Sequence, residues 1–136
     1  MYLAVHQDRK STATEIAAAY DISFHHVAKA AQWLAREGYV SSARGRSGGM
    51  TLCHAPKDIN IGHVLKKAEA DTAMVECMRS HGGQCCIIPS CGLKFALVEA
   101  KAAFYAVLET YSLADISVQK TALSALLGKT PEPPTQ

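Results

Sequence analysis

Apolar residues in the segment FHHVAKAAQWLAREG recur at helical spacing. Val27, Ala30, Ala31 and Leu34 fall at i, i+3, i+4 and i+7 and predict the buried stripe of a helix. His25, Lys29, Gln32 and Arg36 occupy the opposite side at the same spacing. Ser23 stands where a capping hydroxyl is wanted, and Gly38 ends the run. Upstream, Thr12-Ala-Thr-Glu15 has the hydroxyl-then-Glu order of a capping box ahead of the alanine-rich run TEIAAAY. Asp21-Ile22-Ser23 is the short turn between the two. Two short helices joined by a tight turn, the second with a polar stripe, have helix-turn-helix geometry.

After Gly38 the pattern changes. Tyr39–Ser42 and Met50–Cys53 are predicted as short strands around the glycine-rich tip ARGRSGG. Glycine allows the tight reversal, and arginine at a hairpin tip suits a phosphate or the minor groove. A hairpin directly after the second helix is a wing. Pro56 opens a linker, and IGHVLKKAEAD (61–71) predicts a third amphipathic helix. From Gly92 the run GLKFALVEAKAAFYAVLETY predicts a rod of ~30 Å. Its residues Leu93, Leu97, Ala100, Phe104, Val107 and Tyr111 step by 4, 3, 4, 3, 4, the spacing of a helix lying along another helix. A rod that long outruns a small domain, so Leu93, Leu97, Phe104, Val107 and Tyr111 are expected at a dimer seam. VQKTALSALLG predicts a short closing helix, and the Pro-rich end is expected to be disordered. The expected fold class is mainly α: a winged helix-turn-helix domain with a small β-hairpin wing (1–71), a cysteine-rich loop (72–91), a long C-terminal dimerisation helix with the closing helix (92–127), and a tail (128–136).

Composition changes this picture only a little. The 136 residues are one domain's worth of chain with a helical extension. The net charge of +2 does not by itself suggest a nucleic-acid partner. Its distribution does so weakly: eight basic residues stand against five acidic ones up to Lys66, and six against seven afterwards. The start MYLAVHQDRK lacks the basic-then-apolar order of a secretory signal, and no apolar run reaches bilayer length. A reducing cytoplasmic setting is therefore expected, and there clustered cysteines read as ligands or redox groups before disulfides.

Four of the five cysteines lie in CMRSHGGQCCIIPSCGLK (77–94). Cys77, Cys85 and Cys91 follow C-x7-C-x5-C, with Cys86 as an alternative middle ligand. Neither spacing is the C-x2-C knuckle usual in structural zinc sites, and no C-x-x-C redox pair is present, which argues against a thiol-redox enzyme. Loose spacing and soft thiolates suit an iron–sulfur cluster, while spacing alone leaves zinc or a disulfide open. Gly82 and Gly83 let the loop wrap, and Cys91 opens the long helix, whose positive end favours a thiolate. His81 is the one histidine inside the loop. Cys53, in the apolar run TLC, is expected to be a buried small hydrophobe.

Several strings now point to a family. Ser23-Phe-His-His-Val-Ala-Lys29, Gly38-Tyr-Val40, Arg44-Gly-Arg-Ser-Gly-Gly49, Ile59-Asn-Ile-Gly62, Val75-Glu-Cys77, Cys91-Gly-Leu-Lys94 and Tyr111-Ser-Leu-Ala-Asp-Ile116 resemble the Rrf/BadM-type winged-helix regulators, above all the NsrR-type nitric-oxide-sensing repressors among them. IscR-type members carry a histidine where Lys94 stands here. The resemblance implies a DNA-binding repressor, not an enzyme. It further implies a homodimer on a palindromic operator, with one 4Fe-4S or 2Fe-2S cluster per subunit whose reaction with nitric oxide switches operator affinity. Its alternatives are an iron- or cluster-status regulator (RirA- or IscR-like) and a zinc or thiol redox sensor without a cluster. Carried over by position, Cys77, Cys85 and Cys91 match the cluster ligands. Ser23, His25, His26 and Lys29 match the head of the recognition helix, and Arg44, Arg46 and Ser47 match the wing. Family members begin with a further segment, so the first helix is expected to be truncated here. That segment normally donates an acidic fourth ligand, and Asp8 does not match it.

Overall fold

A single turn, α1 (Tyr2–Val5), precedes the predicted capping box. The box forms. Thr12 Oγ1 accepts from the Glu15 N–H at 3.1 Å, and the Glu15 carboxylate accepts from the Thr12 N–H at 2.6 Å. Two first-turn donors are thereby satisfied and α2 runs Ala13–Tyr20. The bond from the Thr12 backbone holds the Glu15 carboxyl below the usual carboxylate range. Its stabilising contribution is present above the unfolded carboxylate's pKa and is lost as pH falls through the lowered value. Residues 1–43, 45, 48–70, 73–79 and 82–128 are described in this computed structural model. Arg44, Arg46, Ser47 and His81 lie outside the described residues, as does the tail from residue 129.

The turn after α2 closes on Asp21 at φ 51, with the Asp21 N–H on Ala18 O and the Ile22 N–H on Ala17 O. Ser23 then caps α3 (Phe24–Arg36). That helix closes in the same way on Gly38, at φ 79: the Gly38 N–H reaches Ala35 O and the Tyr39 N–H reaches Leu34 O. Nothing lies within 4 Å of a Cβ added at Gly38, so Gly38→Ala isolates the backbone cost of the left-handed residue. A loss of about 1–2 kcal/mol in urea unfolding is expected, and an unchanged midpoint would contradict this closure.

The wing strands are β1 (Val40–Ala43) and β2 (Gly49–Leu52), antiparallel, with Val40 opposite Leu52 and Ala43 opposite Gly49. Ser11 adds a further bridge to this hairpin, exchanging backbone bonds with Met50 at 3.1 and 2.7 Å. Gly49 permits that approach, since a Cβ there would fall 2.9 Å from Lys10 Cβ. Two expectations change here. Cys53 is exposed, not buried: it follows the last residue of β2, and although its N–H still donates to Tyr39 O at 3.0 Å, its side chain is left uncovered. On α3, Val27 is buried and Ala31 and Leu34 half-buried, but Ala30 is exposed. The covered face turns toward Trp33, whose ring stacks on Tyr39 beyond the helix, centroids 6.5 Å apart.

The chain divides into two compact units, Met1–Ile59 with Leu113–Gln136, and Asn60–Ser112. In the first, Tyr2, Ala4, Ala17, Val27, Val40, Met50, Ile59 and Leu113 form the core. The sequence grouped the closing helix with the long helix. In the structure this element, α6 (Lys120–Leu127), lies in the first unit and contacts α1.

The second unit is built on α4 (Ile61–Ala68) and α5 (Gly92–Leu108). Asn60 caps α4 by accepting from the His63 N–H at 3.0 Å, and its amide donates to Glu109 O at 2.6 Å. The Ile61 N–H donates to Tyr111 O at 2.9 Å. These bonds draw residues 109–112 out of the helix, so α5 stops at Leu108 rather than Tyr111 and is ~25 Å long. Gly62 is buried against the end of α5. Lys66 pairs with the Glu109 carboxylate and holds it below the usual range. The Tyr105 hydroxyl donates to Glu69 at 2.7 Å, and this bond raises its pKa.

Candidate functional site

Two regions carry the sequence-derived candidates, one in each unit. In the first, the head of α3 is presented to solvent. Ser23 Oγ accepts from the His25 N–H at 3.3 Å, so this candidate works as a cap and fixes where the helix starts. His25, His26 and Lys29 are all exposed, as are Gln32 and Arg36 further along. The helix thus offers hydrogen-bonding and cationic groups along one open face, the arrangement a major groove accepts. The hairpin strands follow directly, and the tip candidates Arg44, Arg46 and Ser47 lie outside the described residues.

The sequence reading passed over an apolar rim beside this face. Tyr20, Ile22 and Phe24 are exposed, and the Phe24 ring meets His25 edge-on at 5.8 Å. The signal was available: apolar residues at 20, 22 and 24 straddle a turn and belong to neither helical stripe. Such groups suit apolar contact with a thymine methyl or a sugar.

In the second unit, Cys77 lies in a 3-10 turn (Glu76–Met78), and Cys91 follows another (Ile88–Ser90) as the N-cap of α5. Cys77 and Cys91 are half-buried, Cys85 and Cys86 are exposed, and all are free thiols. Gly83 comes back against Cys77, the first of the candidate ligands. Gly82 sits at φ 70, and a Cβ at Gly83 would fall 3.2 Å from Cys77 N and 3.1 Å from Glu76 Cγ. The Glu76–Met78 turn also contacts α5, the helix that Cys91 opens. Even so, among the described residues no three His, Cys, Asp or Glu side chains come together as a metal site. By donor chemistry the set fits a sulfur-ligated cluster: three soft, unpaired thiols on one unit, one of them at the positive end of a 17-residue helix.

Of the dimer candidates, Leu93, Phe104 and Val107 are 67%, 54% and 58% exposed, and Tyr111 is exposed just past the helix. Leu97 is half-buried, because it shares the inward face with Lys94, Lys101, Leu108 and the buried Tyr105. Phe95 and Val98, missed by the 3.5-residue stepping, are exposed as well and widen the apolar band. An uncovered band of this kind marks an interaction surface.

Residues 1–119 match the Rrf2 family, described as iron-dependent transcriptional regulators. The transcriptional regulator NsrR of Geobacillus kaustophilus is 41% identical over 124 residues, spanning 91% of this chain and 84% of the relative. That of Bacillus subtilis is 44% identical over 117 residues, spanning 86% and 80%. Among solved structures, IscR of T. potens superposes with a TM-score of 0.64 at 23% identity, covering 85% of this chain and 74% of that one. CymR of B. subtilis, the global cysteine regulator of that organism, does so at 0.65 and 24%, covering 86% and 85%. These superpositions bear out the expected fold, a mainly helical winged-helix chain with a two-stranded wing.

Proposed function

The chain belongs to the Rrf2 family of iron-dependent transcriptional regulators, and from that premise we propose a homodimeric, DNA-binding repressor whose cysteine loop holds an iron–sulfur cluster and whose operator affinity falls in nitric oxide. The observation that carries this reading is the thiol set: Cys77, Cys85 and Cys91 are free and lie in one unit, Cys77 in a turn that contacts α5 and Cys91 at its N-cap. The relatives named NsrR support the nitric-oxide signal. Lys94, standing where IscR-type members carry histidine, favours this branch over an IscR-like one.

When bound, the cluster supplies iron at which nitric oxide reacts. The chain's own groups do the rest. Cys77 anchors the turn that touches α5, and Cys91 anchors the helix at its first turn. With both sulfurs engaged, residues 77–91 are tied at each end. Once released, the loop keeps the Gly83 approach and the turn bonds. Leu93, Phe104, Val107 and Tyr111 cover one another across a two-fold axis with a second copy. Two α3 helices then enter successive major grooves ~34 Å apart. His25, His26 and Lys29 face the bases and phosphates, with Arg44, Arg46 and Ser47 following on the wing. No helix among the described residues is long and apolar enough to cross a membrane, and the reading places the protein in the cytoplasm with its operator.

The test is anaerobic: visible absorbance, iron and sulfide content, and operator binding before and after a nitric-oxide donor. The reading expects a coloured protein that bleaches and loses roughly 5–150-fold in affinity. A colourless protein, or affinity indifferent to the donor, overturns it. Lys29→Ala is expected to weaken binding to all sequences alike and to reduce the salt slope of log K by about 1, with iron content unchanged. An unaltered slope would remove Lys29 from the phosphate contacts.

A further inference from the structure

Cys86 has no part in the proposed cluster set, yet it adjoins Cys85, and both thiols are free and exposed. The pair lies at a reversal of the chain. The Ile88 N–H donates to Cys85 O at 3.3 Å, which makes Cys86 and Ile87 the central residues of a turn. In an extended strand, alternation would send neighbouring side chains to opposite faces, and a turn is free of that constraint.

Adjacent thiols can join directly or share a third atom. A relaxed disulfide spans Cα atoms roughly 4.4–6.8 Å apart. Consecutive Cα atoms are only ~3.8 Å apart, so the direct bond is strained and readily reduced. A trivalent atom placed between the sulfurs lengthens the bridge and relieves the strain. Ile87, 59% exposed beside the pair, offers an apolar contact to an organic substituent.

We propose that Cys85 and Cys86 form a chelating site for trivalent arsenicals, a second chemical input to the same loop. Arsenous acid exchanges two As–O bonds for two As–S bonds, and two waters leave carrying the thiol protons. Arsenic stays trivalent, so no oxidant is needed. Chelation itself does not rest on the cluster reading. Only its consequence does, because a chelated Cys85 is withdrawn from the cluster set.

The test uses the full chain, cluster-free and reduced, with phenylarsine oxide as probe. Both thiols bond the arsenic and one water is lost. Native mass spectrometry should find one probe per chain, and peptide mapping after maleimide labelling should find Cys85 and Cys86 protected. Cys85→Ser and Cys86→Ser should each weaken binding roughly 100-fold or more, since a chelate becomes a single bond. Cys77→Ser and Cys91→Ser should bind like the parent chain. Undiminished binding by Cys86→Ser overturns the proposal, as does an equal loss in Cys77→Ser or Cys91→Ser. Iron and sulfide content report on the cluster separately. A chain that loads no iron but captures the probe at this pair upholds the arsenical site, and one that loads iron yet, stripped of it, ignores the probe refutes it.

Discussion

Cys91→Ala is expected to purify without iron or sulfide and to bind operator roughly 5–150-fold more weakly than the loaded parent. The thiol sits at the N-cap of α5, where its side chain makes no capping hydrogen bond. Its removal therefore takes away a proposed metal donor without unsatisfying the helix, and far-UV circular dichroism should be unchanged. The position matters because Cys91 immediately precedes α5, so a ligand there would tie the loop directly to that helix. Cys85→Ala should lose iron in the same way, whereas Cys86→Ala should keep it, which separates the two candidates for the middle ligand. Undiminished operator binding by an iron-free Cys91→Ala protein would break the proposed link between the loop and DNA.

Gly62→Ala is expected to lower the stability of the 60–112 unit by about 3 kcal/mol or more. The new Cβ would fall 2.6 Å from Glu109 N, 2.9 Å from Glu109 Cα and 2.5 Å from its Cγ. Two of these are backbone atoms and cannot rotate away. Alanine's helix preference returns about 1 kcal/mol, less than the overpacking takes. Parting the elements also strains the bonds set by the same approach, Asn60 Nδ2 to Glu109 O and Ile61 N–H to Tyr111 O. Hydrogen exchange across 60–112 and the urea midpoint read the effect. Lys66→Ala is the control: its ion pair with Glu109 is exposed and contributes little. If both substitutions prove equally mild, Gly62 is not the contact that sets α4 against α5. In the proposed dimer, a faulty seat for α5 should also weaken self-association, measurable by sedimentation.

The winged-helix order was legible in the chain because each part announces itself locally. The Thr12–Glu15 box, the Ser23 cap and the Gly38 stop are interactions within a few residues of one another, and each forms in the structure. The hairpin strands came within a residue of their observed bounds for the same reason. The errors arose where a distant partner decides. Nothing local in GLKFALVEAKAAFYAVLETY shows that Asn60 and Ile61 will take the carbonyls of Glu109 and Tyr111 and end α5 at Leu108. Nothing in TLC shows that no other element will arrive to cover Cys53 at the end of β2.

The candidate sites divide along the same line. Residue chemistry and helical spacing were enough to nominate Lys29 and the histidines for an open face, and three thiols for a soft metal. Short-range backbone bonding and side-chain periodicity are properties of the sequence itself, so capping, turn closure and the polar stripe of α3 were determined there. Burial and close approach are properties of what arrives from elsewhere. The turn of α3 toward Trp33 and Tyr39, the seat of Gly62 on Glu109, and the return of α6 to α1 were therefore decided only by the tertiary structure.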